Sequence, residues 1–396
     1  MNSKIAIMLS RFPYPLDKGD KLRAFHQIKY LSTYFDIHLF CLTDKIIPQN
    51  QLQELETYCQ RVTLYKQTLL DKLVFSIWSI LKNYPFQVGL FYSNRIKKQF
   101  SNAIHSLCPD LIYTQLSRTI LFAKDEDYPL VVDFQDSFST NYHRIQSQSS
   151  GIKRWFYQRE SKLMKKFESQ MLEWTDASAV ISHFDKSEIS NSANNLVVVS
   201  NGVDTNYFQP LKSNDKKYDI LFTGNLAYEP NKQAALFLIQ KIMPALHNKN
   251  PMLKLYLAGA EPGTLSQYNS SQIIVSGWLP DIREAYNESS IFVAPLLSGA
   301  GLQNKLLEAM SMGLPCVSTQ IANASLKAKV EEEILIANSI DEFVTQIERL
   351  QEDKQLYANL SIQGRDFVLK NYQWDASNHT LKKLFVKTIE HYVKKI

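Results

Sequence analysis

The stretch Ser298-Gly299-Ala300-Gly301-Leu302-Gln303-Asn304-Lys305-Leu306-Leu307-Glu308-Ala309-Met310-Ser311-Met312-Gly313 follows an apolar run, opens on small residues and continues with helical spacing that Gly313 can terminate. The free amides of such a helix start, together with the positive end of its dipole, form a ready site for a diphosphate. Lys305 and Glu308 stand three residues apart and therefore share one helical face. A cation beside the phosphates and a carboxylate gripping two ribose hydroxyls would together read a nucleoside diphosphate. A structural loop with a surface salt bridge fits the same spacing.

Two further places combine charge with a turn. Asp133 falls inside an expected strand and Asp136 just past its end, where Asp136 could orient a hydroxyl or act as a base. Equally, Asp136-Ser137 could simply cap a helix, and His143 is the nearest imidazole. The turn Lys18-Gly19-Asp20 opens the first helical pattern; Gly19 would let backbone approach a ligand closely, with Lys21 and Arg23 adding charge at the same mouth. A plain turn with solvated charges is the alternative.

These residues need a scaffold of strands and helices. Apolar, β-branched runs at 4–10, 36–42, 61–66, 110–115, 130–134, 177–182 and 196–200 alternate with helical patterns. The turn-forming Asn201-Gly202-Val203-Asp204 and the polar run 209–217 interrupt the series. It restarts with strands at 218–223, 253–258, 273–275, 291–294, 315–318 and 334–336. At 396 residues the chain suits two domains. The expectation is an α/β protein with two doubly wound parallel sheets: an N-terminal domain at 1–208, a linker at 209–217, a C-terminal domain at 218–375 and a final helix at 376–396. In such sheets ligands bind beyond the carboxyl ends of the strands, and a cleft between the domains is the expected site.

Composition excludes several classes. With 45% hydrophobic and 21% charged residues the chain is an ordinary globular protein. The net charge of +5 resides in residues 1–200, where 24 Lys+Arg face 19 Asp+Glu, against 20 and 20 in the remainder. That excess suits an anionic surface or substrate but is too mild for nucleic acid. Cys41, Cys59, Cys108 and Cys316 lie far apart with no ligand-like spacing, so neither a zinc site nor a disulfide framework is expected. No G-x-G-x-x-G follows the first strand, which argues against a dehydrogenase. The opening ten residues are too short for a signal h-region, and the longest apolar stretch, 73–81, is half a membrane span. A cytoplasmic location follows. The helical patterns at 69–81 and 152–167 mix bulky apolar with basic residues, a composition that suits either core and solvated faces or contact with anionic headgroups.

The segment 298–315 resembles the donor-site signature of family-4 retaining glycosyltransferases of the GT-B fold, and most closely the sugar transferases of exopolysaccharide loci, including those associated with PEP-CTERM sorting. The likeness extends to Arg11-Phe12-Pro13-Tyr14-Pro15-Leu16-Asp17-Lys18-Gly19-Asp20-Lys21-Leu22-Arg23, Val199-Ser200-Asn201-Gly202-Val203-Asp204, Phe222-Thr223-Gly224-Asn225-Leu226, Leu257-Ala258-Gly259 and Val275-Ser276-Gly277-Trp278-Leu279-Pro280-Asp281, in order along the chain. The resemblance implies two Rossmann-like domains facing a central cleft and a donor held mainly by the C-terminal one, with no cofactor and no metal. It implies Glu308 on the ribose, Lys305 by the diphosphate, backbone around Trp278 and Leu279 at the base, and further donor contacts from Gly19, Gly224, Asn225, Lys232, Gly301 and Leu302. Asp136 and Lys305 are the candidate catalytic residues. The implied donor is UDP- or GDP-linked, the acceptor a glycan or a lipid-linked glycan, with peripheral membrane contact through the N-terminal domain at the inner membrane face.

The chain departs from the family pattern at three points. The first of two glutamates is replaced by Ala300, a basic residue by Asn225, with Lys232 a possible substitute, and a histidine beyond a late N-terminal strand by Val132-Asp133-Phe134-Gln135-Asp136-Ser137. A sugar-nucleotide 2-epimerase of the same fold, or a non-catalytic nucleotide-sugar-binding subunit, is the rival expectation.

Overall fold

The computed structural model describes residues 2–16, 18–147, 149–211, 216–297 and 301–394. Ala300 and residues 212–215 of the expected linker thus lie outside the described residues. The chain forms two compact units, Met1–Ser200 with Ser377–Ile396, and Asn201–Ala376.

The first unit is built on seven parallel strands: β1 (Lys4–Leu9), β2 (Asp36–Thr43), β3 (Arg61–Lys66), β4 (Leu111–Gln115), β5 (Leu130–Asp133), β6 (Ala177–Val180) and β7 (Leu196–Val198), in the order β3-β2-β1-β4-β5-β6-β7. Alternate residues of β1 enter different cores, Ile5, Ile7 and Leu9 on one face and Ala6 and Met8 on the other. Burial on both faces explains why the strand reads as a continuous apolar run. Leu381, Leu384 and Phe385 of the last helix, Trp374–Val393, complete the first of these cores.

The second unit has six parallel strands: β8 (Tyr218–Thr223), β9 (Leu255–Ala258), β10 (Ile273–Gly277), β11 (Ser289–Ala294), β12 (Cys316–Ser318) and β13 (Leu335–Ile336), in the order β10-β9-β8-β11-β12-β13. The strand expected from Pro315 begins one residue later, because proline has no N–H for the ladder; its carbonyl still accepts from Phe292 N.

The division between units falls at Ser200, ahead of the polar run expected as the linker. Long-range anchors hold 201–211 in the second unit: Val203 joins its core and bonds Tyr372 O through its amide at 2.8 Å, and Ser311 Oγ donates to Phe208 O.

In each sheet the strand order reverses at one place, between β1 and β4 and between β8 and β11. Loops leaving these neighbours depart in opposite directions and open a crevice at the carboxyl ends. Gly19 follows β1, Gly224 and Asn225 follow β8, and Gly301, Leu302, Lys305 and Glu308 follow β11, whereas Asp136 lies past β5 and Trp278 past β10.

Candidate active site

In the second unit, three loops leave β8, β9 and β10 stitched together by backbone. Gly224 N donates to Ala258 O at 3.1 Å, Leu226 N to Ala260 O at 2.8 Å and Gly259 N to Gly277 O at 2.9 Å. Gly224 and Gly259 have φ of +144° and +149°. A Cβ at Gly259 would lie 1.9 Å from Gly224 O, so glycine is required for the two loops to touch.

Lys305 reaches into this junction from the helix Asn304–Ser311, which follows β11. Its ammonium donates to Asn231 Oδ1 at 2.8 Å and Gln303 Oε1 at 3.1 Å, and lies 5.6 Å from the Phe222 ring centroid. Asn231 is held in turn by Nδ2 donating to Asn225 O at 2.8 Å, and Gln303 by Nε2 donating to Gly301 O at 3.0 Å. Both partners of the ammonium are neutral, and burial pushes it down to about 8. The helix start has no side-chain cap: the side chain of Gln303, the N-cap residue, makes no capping bond. Its first-turn amides and the lysine together make a cationic corner.

Glu308 turns away from Lys305. Its Oε2 accepts from Tyr286 OH at 2.8 Å, and that hydroxyl lies 2.7 Å from Thr223 Oγ1. The expected alternative of a surface salt bridge between Lys305 and Glu308 is not what forms. Burial raises the Glu308 carboxyl, and Tyr286 and the charge of Lys305 act against the rise.

The remaining second-unit candidates border this group. Trp278 follows Gly277 at the end of β10 with 69% of its surface exposed, a ring free to stack, while Leu279 packs on the core. Asn225 receives Ala227 N on its Oδ1 at 2.9 Å and donates to Glu261 at 3.1 Å, so it shapes the loop. Gly301 has open space where a Cβ would stand, and Leu302 is half-buried against the core. Lys232 is half-buried one residue past Asn231 and makes no hydrogen bond or ion pair with this group. Tyr286, Asn231 and Gln303 were not singled out by sequence. Their position at the carboxyl ends of β8 and β11 could have pointed to the last two, whereas Tyr286 precedes its strand and left no signal.

In the first unit, Gly19 opens the helix Gly19–Leu31 in an exposed position with no steric or torsional need for glycine. Arg23 corrects its sequence reading. It is not charge at a mouth but a buried partner of Asp133 at 2.7 Å, with Nη2 donating to Val199 O at 2.9 Å. Gln27 and Tyr113 also donate to Asp133, at 3.1 and 2.9 Å. A buried charge survives only with such partners.

Asp136 lies beyond β5 and accepts from Asn141 Nδ2 at 3.1 Å; burial, then the neighbouring Asp185, push its carboxyl up to about 6. The helix cap is Ser137, whose Oγ accepts from Thr140 N at 3.3 Å. His143 is exposed. Arg118, just past β4 and unnoticed in the sequence, stacks over Phe91 at 4.8 Å and Phe138 at 5.6 Å, with Arg11, Asp20 and Asp136 within electrostatic reach.

Residues 217–353 match the family model described as glycosyl transferases group 1. An uncharacterised 44.6 kDa protein of the cps region of Klebsiella pneumoniae is 24% identical over 382 residues, covering 93% of this chain and 96% of that protein. The Escherichia coli UDP-Gal:alpha-D-GlcNAc-diphosphoundecaprenol alpha-1,3-galactosyltransferase is 33% identical over 87 residues, 22% of each chain. Among solved structures, Anabaena HepE in complex with UDP-glucose superposes with a TM-score of 0.70 at 14% identity, covering 98% of this chain and all of that one. The fold is GT-B, and the family segment contains the whole Lys305–Glu308 group. Fold and segment together support a glycosyltransferase.

Proposed function

We propose that the protein transfers a sugar from a UDP- or GDP-linked donor to a glycan or lipid-linked acceptor with retention at the anomeric carbon. The observation that carries this reading is the Lys305 ammonium, half-buried, bound only to neutral oxygens and placed beside both the Gly224 loop and an uncapped helix start. Such a corner stabilises the charge that develops on a departing diphosphate. Lys305 and the amides supply that charge without calling on a metal ion. Glu308, steadied by Tyr286, takes the ribose hydroxyls, and Trp278 borders the base. UDP is the favoured nucleotide, since the E. coli relative uses UDP-Gal and HepE is seen with UDP-glucose.

In the reaction the bond from the anomeric carbon to the diphosphate oxygen breaks and the acceptor oxygen bonds that carbon on the same face. The acceptor proton passes to the departing diphosphate, leaving a glycoside and a nucleoside diphosphate. No side-chain base is needed, and the first unit, with Asp136 near Arg118, positions the acceptor. Work at the cytoplasmic side of a membrane suits a nucleotide-sugar donor and a lipid-linked acceptor.

A thermal-shift panel of UDP-, GDP- and CMP-sugars tests the reading, because a ligand of the native state raises Tm by mass action. A UDP- or GDP-sugar should raise it and CMP-sugars should not; no shift with any of them contradicts the proposal. Asp136→Asn should lower turnover and leave nucleotide affinity unchanged. Equal loss of both would move Asp136 to the donor site, and full activity would remove it from the reaction.

A further inference from the structure

Arg118, just past β4, is a half-buried cation without a matching anion. Among the described residues no carboxylate lies within ion-pair distance of it; Asp20 and Asp136 act on it only from farther away. Both are already engaged, Asp20 by Arg11 at 3.3 Å and Asp136 by Asn141 Nδ2 at 3.1 Å. The guanidinium is nevertheless fixed. Its Nε donates to Gln87 Oε1 at 3.3 Å, and Gln87 is held in turn by Nε2 donating to Ser117 Oγ at 3.4 Å. The rings of Phe91 and Phe138 lie 4.8 and 5.6 Å from it, one in the helix Phe86–Phe91 and the other opening the helix Phe138–Ser147. The two terminal nitrogens make no hydrogen bond among the described residues. A planar fork is thus held in place with its donors unused.

Elsewhere in the same unit guanidinium charge is matched, Arg23 by Asp133 at 2.7 Å and Arg159 by Glu160 at 2.6 Å. An unmatched charge away from water is costly. Burial, and then the charge of Arg11, hold the Arg118 guanidinium below the usual arginine range, with Asp20, Tyr142 and Asp136 acting against the fall. Further donors stand at the same place. Arg11 follows β1, the neighbour of β4 where the strand order reverses and ligands of such sheets enter. The half-buried Tyr142 lies within electrostatic reach, and its hydroxyl makes no hydrogen bond among the described residues. The turns leaving β4 and β5 hold Leu116 and Gln135 at φ of +66° and +63°, a left-handed backbone that costs free energy at residues other than glycine. Backbone bonds enforce both turns, Leu116 N donating to Asp133 O and Ile181 N to Gln135 O, each at 2.7 Å.

We propose that Arg118, with Arg11 and the Tyr142 hydroxyl, forms a subsite for an oxyanion carried by the acceptor, which is therefore a sugar bearing a carboxylate or a phosphate. The two terminal nitrogens of Arg118 match two oxygens of either group, and Tyr142 supplies a third donor. The bound anion provides the charge that the described side chains leave out, so it binds where a neutral sugar gains little. The word acceptor rests on the sugar-transfer reading, whereas the anion subsite stands on the geometry of the first unit.

Ligand-observed NMR titration of the full chain with methyl glucoside, methyl glucuronide and glucosyl phosphate tests this, since the method reads weak affinities. At least one anionic sugar should bind roughly ten- to a hundred-fold more tightly than methyl glucoside, the worth of a charged hydrogen-bonded pair. Which of the two it is tells a carboxylate from a phosphate. Arg118→Gln should abolish the preference, and Arg118→Lys should keep only part of it because the fork is lost. Tyr142→Phe should weaken the anion roughly fivefold. Lys305→Ala, which silences the cationic corner of the second unit, should retain the preference. Equal binding of all three sugars overturns the proposal, as does a preference that folded Arg118→Gln keeps or that Lys305→Ala removes. If Arg118→Gln does not fold, an unchanged preference in both Arg118→Lys and Tyr142→Phe overturns it instead. Calorimetry with UDP and GDP separates the two readings. Nucleotide binding without an anion preference sinks this subsite alone, and an Arg118-dependent preference without nucleotide binding sinks the sugar-transfer reading alone.

Discussion

Lys305 holds a proton only narrowly in the free protein, with burial pushing it down to about 8. Its charged form is the one that attracts a diphosphate, and the ligand's negative charge holds the proton on. Affinity for a nucleoside diphosphate should therefore be full below pH 8 and fall above it, by roughly tenfold per unit of pH until the bound lysine itself titrates. Lys305→Arg should remove the fall, because a guanidinium stays charged throughout this range. Titrations at several pH values check this; an identical fall in Lys305→Ala would assign it to another group. At this scale the sequence told half the story. The spacing of Lys305 and Glu308 marked both as one-face neighbours, but their partners Asn231 and Tyr286 are 74 and 22 residues away along the chain. Contacts that close only in three dimensions leave no local pattern, and for the same reason Arg23 read as solvent-facing when its partner Asp133 is 110 residues off.

At the scale of elements, strands and helices were legible because burial on both sheet faces leaves continuous apolar runs, as in β1 and β8. What was hidden is how their ends meet. In the sequence Gly259 stands out only as the end of Leu257-Ala258-Gly259, whereas in the structure its missing Cβ lets the β8 and β9 loops touch. Gly259→Ala should destabilise the second unit by roughly 2–4 kcal/mol, combining a strained positive φ with overpacking against backbone. Urea denaturation checks this, and an unchanged midpoint would show that the loops can part freely.

Glu168 joins two helices of the first unit, accepting from Ser139 N and Oγ at 3.1 and 2.6 Å, and burial pushes its carboxyl from 4.5 up to about 7. The native state thus keeps a proton that the unfolded chain releases near 4.5. This contribution to stability is full below that pH and is lost as pH rises through 7. Glu168→Gln should flatten that decline and stabilise the protein at pH 8 by on the order of 3 kcal/mol relative to wild type. A wild-type Tm independent of pH between 4.5 and 7 would contradict it.

For the whole molecule, the restart of the strand-helix series marked two sheets, while the division at Ser200 escaped because Val203 and Phe208, just after it, are anchored by the remote residues Tyr372 and Ser311. The two switch points separate the chemistry: the second unit gathers the cationic corner and the first gathers Asp136 and Arg118. If the second unit is the donor site, nucleotide recognition depends on Lys305 and owes nothing to Asp136. Calorimetric titration of UDP and GDP into wild type, Lys305→Ala and Asp136→Asn measures this directly. One of the two nucleotides should bind wild type and Asp136→Asn alike at a single site, and Lys305→Ala roughly thirty- to a hundred-fold more weakly, the cost of a lost charged hydrogen bond. Equal binding to folded Lys305→Ala, or no binding of either nucleotide to wild type, would contradict the account.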